Sequence, residues 1–284
     1  MINFIILHYK NMHDTLECIA SIRKLETDKQ VKIVVVDNAS TNQTEQAQLK
    51  KEADDVLFLE KNIGFAKGNN AGAIFAVEKY HPDFLVVINS DVVIEQKNFL
   101  KTIYSLHDKY QFDILGPKIL PEESDSVNPF PAYKTLDEVQ QRIKYVRKLI
   151  KIYNNVIFRN LLSFYLKLKK NFKKEEKLAN GKNDILGEPL HGCALIFSRQ
   201  YYQKYKDIFY NETFLFHEEE FLYYRCKQDN LVFVYSPEIE LLHKEGQSLD
   251  KEFNTNYRKL IFKNQEIVKS LILLEDIMIN KKRI

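Results

Sequence analysis

The chain has 284 residues, of which 45% are hydrophobic and 29% are charged, and its net charge is +3. These values are ordinary for a globular protein, and the length suffices for one large domain with a substantial core. No apolar run reaches the roughly 18–20 residues that a membrane-spanning helix needs. The N-terminal run INFIILHY lacks a basic leader, so we expect no signal peptide.

The three cysteines, Cys18, Cys193 and Cys226, are far apart and form no C-x-x-C pair. This spacing favours a reduced, cytoplasmic protein without a zinc knuckle. Charge is unevenly distributed, because residues 134–182 contain 14 Lys/Arg and only four acidic residues. A nucleic-acid-binding protein usually spreads its basic residues over a folded face. The concentration in one segment therefore argues against nucleic acid as the partner.

The first 120 residues alternate between short β-branched runs, which predict strands, and segments of helical apolar periodicity. Such alternation predicts an α/β fold with right-handed crossovers and a mostly parallel, Rossmann-like sheet flanked by helices. The predicted strands are 3–9, 31–37, 56–60 and 84–91. The predicted helices are one capped by Asp14 or Thr15, followed by 43–52, 66–80 and 96–109.

Residues 124–183 interrupt this alternation and predict a basic helical element between a nucleotide-binding half, 1–123, and an acceptor and catalytic half, 184–284. No Gly/Ser linker divides the chain, so we expect one catalytic domain overall. The element could pack its apolar stripe on that domain, or residues 150–174 could lie on an anionic membrane surface. The stripe consists of Tyr153, Ile157, Leu161, Phe164 and Leu168.

Polar side chains follow two of the predicted strands. Ligands of open α/β sheets bind at the carboxyl ends of the strands, so these side chains should meet at one edge. Asp37 could accept hydrogen bonds from a base or ribose, or could simply close an Asx turn. Asp91, after Asn89 and Ser90, offers the carboxylate that magnesium or manganese prefers, although a polar strand end is the plainer interpretation.

Glycines recur every four residues in the run NIGFAKGNNAG, at positions 64, 68 and 72. On a helix they would share one face, which permits close approach either of a ligand or of the sheet beneath. The spacing matches neither a P-loop nor the G-x-G-x-x-G dinucleotide fingerprint.

Two later segments add titratable groups. Glu218, Glu219 and Glu220 follow His217 among aromatic residues, where crowding and desolvation can raise a carboxyl pKa into the range of a general base. A solvated acidic helix start is the alternative. His243 follows a strand-like run and could ligate a metal or a phosphate, or could have only a structural role.

The order of these motifs resembles glycosyltransferase family 2, particularly its bacterial rhamnosyltransferase-like branch. The resemblance is carried by IILHYK, VVVDNAS, NIGFAKGNNAG, VVINSD, LHGCALIFSR, FLFHEEEFLYYR and LLHKEG, over roughly residues 2–120 and 184–248. It implies a GT-A fold and a nucleoside-diphosphate sugar donor, such as dTDP-rhamnose or a UDP-hexose. It also implies a glycan or polyprenyl-diphosphate-linked acceptor, inversion at the anomeric carbon, and work at the cytoplasmic face of the membrane in cell-surface polysaccharide synthesis.

The resemblance assigns individual roles as well. Asp91 and His243 would hold magnesium or manganese, and Glu219, paired with Glu218, would act as the base. Glu219 stands where the family more often has Asp, and Phe221 stands where an acid is usual, so any carboxylate of 218–220 remains a candidate. The donor-binding residues would be His8, Tyr9, Asp37, Asn38, Lys67, Gly68, Asn69, Asn89, Ser90 and Gly192.

Two other functions fit an α/β chain with acidic strand ends. A nucleotidyltransferase would carry a Gly-rich basic loop after the first strand, and HYKNMHD is not such a loop. A non-catalytic nucleotide-binding protein would need Asp37 but not the acidic cluster at 218–220.

Overall fold

The computed structural model describes residues 1–120, 127–155, 181–244 and 256–284. Most of the apolar stripe predicted at 150–174 lies outside these ranges. Among the described helices, none combines the length and the apolar character that crossing a membrane requires.

The N-terminal half builds four parallel strands in the spatial order β3-β2-β1-β4. Each strand is a β-branched or aromatic run, and a helix after each of the first three returns the chain to the edge where the next strand begins. The elements are β1 Ile2–His8, α1 Met12–Arg23, β2 Val31–Asp37, α2 Gln43–Glu52, β3 Asp55–Phe58, α3 Phe65–Tyr80 and β4 Phe84–Asn89. The predicted α/β architecture is confirmed.

One helix start was wrong in the prediction. Helix α1 begins at Met12, so Asp14 and Thr15 lie inside its first turns rather than at its cap. The hydroxyl of Thr15 instead donates to the carbonyl of Asn11 at 3.0 Å and contacts Nδ1 of His8 at 2.7 Å.

The C-terminal half completes a mixed nine-stranded sheet in the order β3-β2-β1-β4-β8-β6-β9-β5, with β7 paired to β9. Strand β8 runs antiparallel to both β4 and β6, whereas β6 and β9 are parallel. The elements are β5 Val92–Val93, α4 Phe99–Tyr110, β6 Ile114–Leu120, α5 Leu136–Asn154, β7 Ile185–Leu186, β8 Ala194–Ser198, α6 Arg199–Lys204, α7 Glu218–Gln228, β9 Phe233–His243 and α8 Asn256–Asn280.

The sheet is covered on both faces, as its continuous apolar strands require. Strand β4 shows the division, because Val86 and Ile88 enter one core while Leu85 and Val87 enter the other. Strands from both sides of the 124–183 segment therefore share one sheet and one pair of cores.

Helices α5 and α8 form a third apolar cluster. Val139, Ile143 and Val146 of α5 pack against Ile267 and Leu271 of α8. The described part of the basic element thus packs these apolar residues of α5 within the protein, whereas the predicted stripe beyond Tyr153 lies outside the described residues. Its cationic face points to solvent, since Lys144, Arg147, Lys148 and Lys151 are exposed.

Candidate active site

A cavity of about 380 Å³ opens at the carboxyl ends of the parallel strands. One side of the cavity is formed by Tyr9, just after β1, and by residues 89–91 at the end of β4. Residues 214–216 and Phe262 of α8 form the opposite side. Both halves of the chain therefore supply walls, at the edge where ligands of α/β sheets bind.

Asp37 lies beside this cavity at the end of β2, opposite His8 in the parallel register of β1. Its carboxylate accepts hydrogen bonds from the N–H of Ser40 at 3.0 Å, the hydroxyl of Ser40 at 2.9 Å and the hydroxyl of Thr41 at 2.5 Å. The residue closes a turn, as one interpretation predicted. The same bonds fix the direction of a buried carboxylate.

Asn38 ties the next loop to the sheet. Its side-chain amide donates to Oδ1 of Asn62 at 2.9 Å and to the carbonyl of Gly64 at 3.2 Å, and its oxygen accepts from the N–H of Ile63 at 2.9 Å. Because Asn38, Asn62 and Gly64 all line the cavity, this bonding shapes its wall directly.

At Gly64 the two halves of the chain are in close contact. Its φ is +89°, and a Cβ atom there would lie 2.3 Å from the carbonyl oxygen of Phe214. The next residue, Phe65, donates its N–H to that same carbonyl at 2.8 Å. Only glycine satisfies both the left-handed conformation and this approach.

The following residues support helix α3. A Cβ at Gly68 would meet the Leu7 side chain at 2.5 Å, so this glycine faces the sheet. Asn69 is 1% exposed and donates to the carbonyl of Phe65 at 3.0 Å, whereas Lys67 is exposed. Packing on the sheet therefore explains Gly68, and Lys67 is the residue of the three whose side chain reaches solvent.

Asp91 and His243 come together at the edge of the sheet. Nε2 of His243 lies 3.2 Å from Oδ1 of Asp91, and both side chains are mostly buried. A carboxylate oxygen beside an imidazole nitrogen, with Asp91 lining the cavity, is a donor set that suits manganese or magnesium. The pair fits the metal that the sequence predicts.

A second group of metal-type ligands lies on α1. One ligand atom each from His13, Asp14 and Glu17 fall within 4.8 Å of one another. The ammonium group of Lys244 already pairs with Glu17 and lies 4.0 Å from Asp14. Because the protein supplies its own cation here, this group is a weaker metal candidate than Asp91 and His243.

The acidic cluster forms the first turn of α7, where the helix dipole favours negative charge. Burial, followed by the charge of Glu219, raises the pKa of Glu218 to about 8. Burial, followed by the charge of Glu220, raises the pKa of Glu219 to about 7. A carboxylate with such a pKa can accept a proton near neutral pH. The cluster is therefore buried and crowded rather than a solvated helix start.

The backbone entering α7 is strained. Phe216 and His217 have φ values of 70° and 72°, two consecutive left-handed residues that are not glycine. Nδ1 of His217 then contacts Oε1 of Glu220 at 3.0 Å. Phe216 lines the cavity, and the contact of His217 with Glu220 holds the start of α7.

A short chain of contacts joins the two candidate centres. The His191 and His243 rings lie 6.1 Å apart, edge to face. The N–H of the next residue, Gly192, donates to Oε1 of Glu219 at 3.1 Å. Gly192 therefore contacts the candidate base, whereas the sequence predicted it at the donor.

The sequence profile described as Glycosyl transferase family 2 matches residues 4–174, more than half of the chain. The chain belongs to glycosyltransferase family 2. The profile covers the Asp37 and Asp91 turns, while the α7 cluster and His243 lie beyond the matched residues.

Two relatives share part of the family 2 region. The low-salt glycan biosynthesis hexosyltransferase Agl10 of Haloferax volcanii is 26% identical over 132 residues, covering 46% of this chain and 40% of that protein. An N-acetylglucosaminyltransferase of Azorhizobium caulinodans is 33% identical over 108 residues, covering 38% of this chain and 27% of that protein. The aligned stretch thus spans less than half of each relative.

Solved structures of S. aureus TarS 1–349 share the family 2 architecture. The TarS structure in complex with UDP-GlcNAc has a TM-score of 0.50 and 18% identity, covering 96% of this chain and 66% of that chain. Another structure of TarS 1–349 has a TM-score of 0.50 and 15% identity, covering 96% of this chain and 65% of that chain. At this level of identity the likeness establishes the GT-A fold.

Sequence reasoning missed the residues that frame this family 2 site from the C-terminal half. Phe214 and Phe262 line the cavity, and Asn128 holds the turn before Gly192. An isolated Asn in the loop SVNPFP and a Phe in a long helix have no motif of their own. Only the tertiary contacts identify them.

Proposed function

We propose that this chain is a metal-dependent, inverting glycosyltransferase that uses a nucleoside-diphosphate sugar. One observation carries the proposal: Asp91, which lines the cavity of about 380 Å³, pairs with His243, and the His243 ring lies 6.1 Å from that of His191, the neighbour of the Gly192 that binds Glu219. Membership of family 2 and the hexosyltransferase and N-acetylglucosaminyltransferase relatives support sugar transfer as the reaction.

In the proposed reaction, Glu219 accepts the proton of the acceptor hydroxyl while that oxygen attacks the anomeric carbon. The bond from this carbon to the diphosphate oxygen breaks on the opposite face, so the configuration inverts. A divalent cation held by Asp91 and His243 would stabilise negative charge on the departing diphosphate. Asp37 would bind the nucleotide base, and the aromatic wall would shield the reacting centre from water.

The donor is a UDP-hexose or dTDP-rhamnose in this proposal. TarS has been solved with UDP and with UDP-GlcNAc, which supports a uridine nucleotide, while the motif order of the rhamnosyltransferase-like branch supports dTDP-rhamnose. A thermal-shift panel of UDP-, dTDP- and GDP-sugars with manganese separates these donors, because a ligand that binds only the folded state raises its melting temperature.

Product analysis tests the reaction itself. With the best donor, we expect slow hydrolysis to free sugar and an intact nucleoside diphosphate, and faster release when a glycan or lipid-linked acceptor is present. Release of nucleoside monophosphate or pyrophosphate would instead indicate a nucleotidyltransferase. Binding without turnover, unchanged in Glu219→Gln, would indicate a non-catalytic nucleotide-binding protein.

A polyprenyl-diphosphate-linked acceptor would place the enzyme on the inner face of the membrane, and helix α5 offers a surface for it. Lys144, Arg147, Lys148 and Lys151 share the outer face of α5, and none of them forms an ion pair with another residue of the described ranges. Each such cation near an anionic surface contributes about 1 kcal/mol.

Flotation with phosphatidylglycerol vesicles tests this membrane proposal. Lys144→Gln/Lys148→Gln should weaken binding roughly 30-fold, the effect of two charges at about 1 kcal/mol each. Lys50→Gln/Lys51→Gln removes two exposed charges from α2 and serves as the matched control. Equal loss in both variants, or binding insensitive to salt, would reject α5 as the docking face.

A further inference from the structure

Three successive backbone N–H groups in the turn before β8 bind side chains. The N–H of His191 donates to Oδ1 of Asn128 at 2.7 Å, and that of Gly192 donates to Oε1 of Glu219 at 3.1 Å. The N–H of Cys193 donates to Nδ1 of the His191 ring at 3.0 Å. The turn is therefore fixed on both sides of Gly192.

Asn128 anchors this turn to the sheet. It is 0% exposed, and while its oxygen holds His191, its amide donates to the carbonyl of Pro117 in β6 at 2.8 Å. A buried amide with both ends bonded has little freedom to move. The position of the Gly192 N–H is thus set by strand β6 through one side chain.

The missing side chain at position 192 is equally important. A Cβ atom there would lie 2.6 Å from Oε1 and 3.1 Å from Cδ of Glu219. The first distance is too short for a real contact and the second is tight, so any residue larger than glycine must displace the carboxylate. Within the described residues, Gly192 is also the hydrogen-bond partner that Glu219 finds outside its own helix.

We propose that Gly192 is the positioning residue of the base: its N–H aims the Glu219 carboxylate, and its lack of a side chain provides the space for this long acid. Asn128 acts behind it by fixing the turn. The inference rests on the proposed function, in which Glu219 accepts the acceptor proton. It gives Gly192 a role in aligning the base rather than in holding the donor.

A double-mutant cycle between positions 192 and 219 tests the contact. Gly192→Ala should lower kcat about 100-fold, the effect of a misplacement near 1 Å, with the donor KM within about 3-fold of wild type. In the Glu219→Asp background the side chain is one methylene shorter. There Gly192→Ala should lower kcat by less than about 5-fold, because the effects of mutations at contacting residues are not additive.

The pH profile gives a second readout. The N–H of Gly192 stabilises the ionised carboxylate of Glu219. Because the alanine side chain would displace this carboxylate from the N–H, Gly192→Ala should move the acidic limb of the pH profile of kcat to higher pH. Gly72→Ala is the matched control, since its Cβ would crowd Ile5 and Val36 at 2.7 Å on the parallel half of the sheet. It should lower the melting temperature without moving that limb.

If Gly192→Ala does not fold, Asn128→Asp keeps the oxygen that holds His191 and loses the donor to Pro117. It should lower kcat about 10-fold and shift the same limb. Additive effects in the cycle, or a change in donor KM alone, would overturn the inference. An active wild type with additive variants rejects only this inference, whereas a wild type that transfers no sugar from any donor rejects the proposed function.

Discussion

The carboxylate of Asp91 lies 3.2 Å from Nε2 of His243, although the two residues are 152 positions apart in the sequence. The contact follows from the sheet, because Val92 of β5 lies directly opposite His243 in an antiparallel register. A turn after β4, which lines the cavity, thus meets the last residue of β9.

Asp91→Asn should raise the manganese concentration needed for half-maximal activity and lower kcat by about 100-fold or more, because a neutral amide is a poor ligand for a hard cation. Manganese titration of donor hydrolysis measures both effects. Glu17→Gln is the matched control, since it removes one carboxylate from the second ligand group, where Lys244 is the counterion. Loss of metal activation in Glu17→Gln, with Asp91→Asn unaffected, would move the metal site to α1.

The rate of transfer should rise with pH through about 7, where Glu219 loses its proton, since only the ionised carboxylate can act as the base. Glu219→Gln should abolish this limb and lower kcat by about 100-fold or more. Measuring kcat from pH 5 to 9 at saturating donor decides the point. A Glu219→Gln enzyme with the wild-type profile would exclude Glu219 as the base.

Glu218 should make stability depend on pH. Its folded pKa of about 8 lies above the ordinary 4.5, so the folded state keeps a proton that the unfolded chain releases between these values. The contribution of Glu218 to the free energy of unfolding should therefore be greatest below pH 4.5 and fall as the pH rises to 8. Glu218→Gln should be more stable than wild type at pH 8 by up to roughly 4 kcal/mol, since each pKa unit corresponds to about 1.4 kcal/mol. Urea unfolding at pH 5 and 8 measures this, and the exposed Glu212→Gln should follow the wild type.

Asp37→Asn should weaken nucleoside-diphosphate binding roughly 10-fold, a loss of about 1.4 kcal/mol, because an amide cannot accept at both of its ends. Thr41→Val removes one of the hydroxyls that orient this carboxylate and should produce a smaller loss. Calorimetry with UDP and manganese measures both. An unchanged affinity in Asp37→Asn would limit Asp37 to closing its turn.

Local signals in the sequence were sufficient to predict the strands and helices of the parallel half of the sheet. Runs such as VKIVVVD are too apolar and β-branched for an exposed helix, and their polar ends mark the edge where ligands bind. The Asp37 and Asp91 turns were located this way. The pKa-raising surroundings of Glu218 and Glu219 also follow from the aromatic residues around them in the sequence.

The C-terminal half could not be predicted in the same way. The antiparallel insertion of β8 between β4 and β6 depends on pairing between strands far apart in sequence. Periodicity does not report such pairing. The glycine motif left open whether a ligand or the sheet lies against Gly68, and the structure shows Leu7 of the sheet there. Asn128 had no motif, and its two buried bonds emerge only from the fold.

The pair of left-handed residues at Phe216 and His217 has a consequence for how this protein can evolve. Each such residue is disfavoured by roughly 1–2 kcal/mol relative to an ordinary conformation, so the entry to α7 is a local weak point that the surrounding packing must overcome. Glycine at either position would relieve the strain and make the folded protein more stable. It would also make the position of the acidic turn less well defined. Selection for activity and selection for stability therefore favour different residues at these two positions.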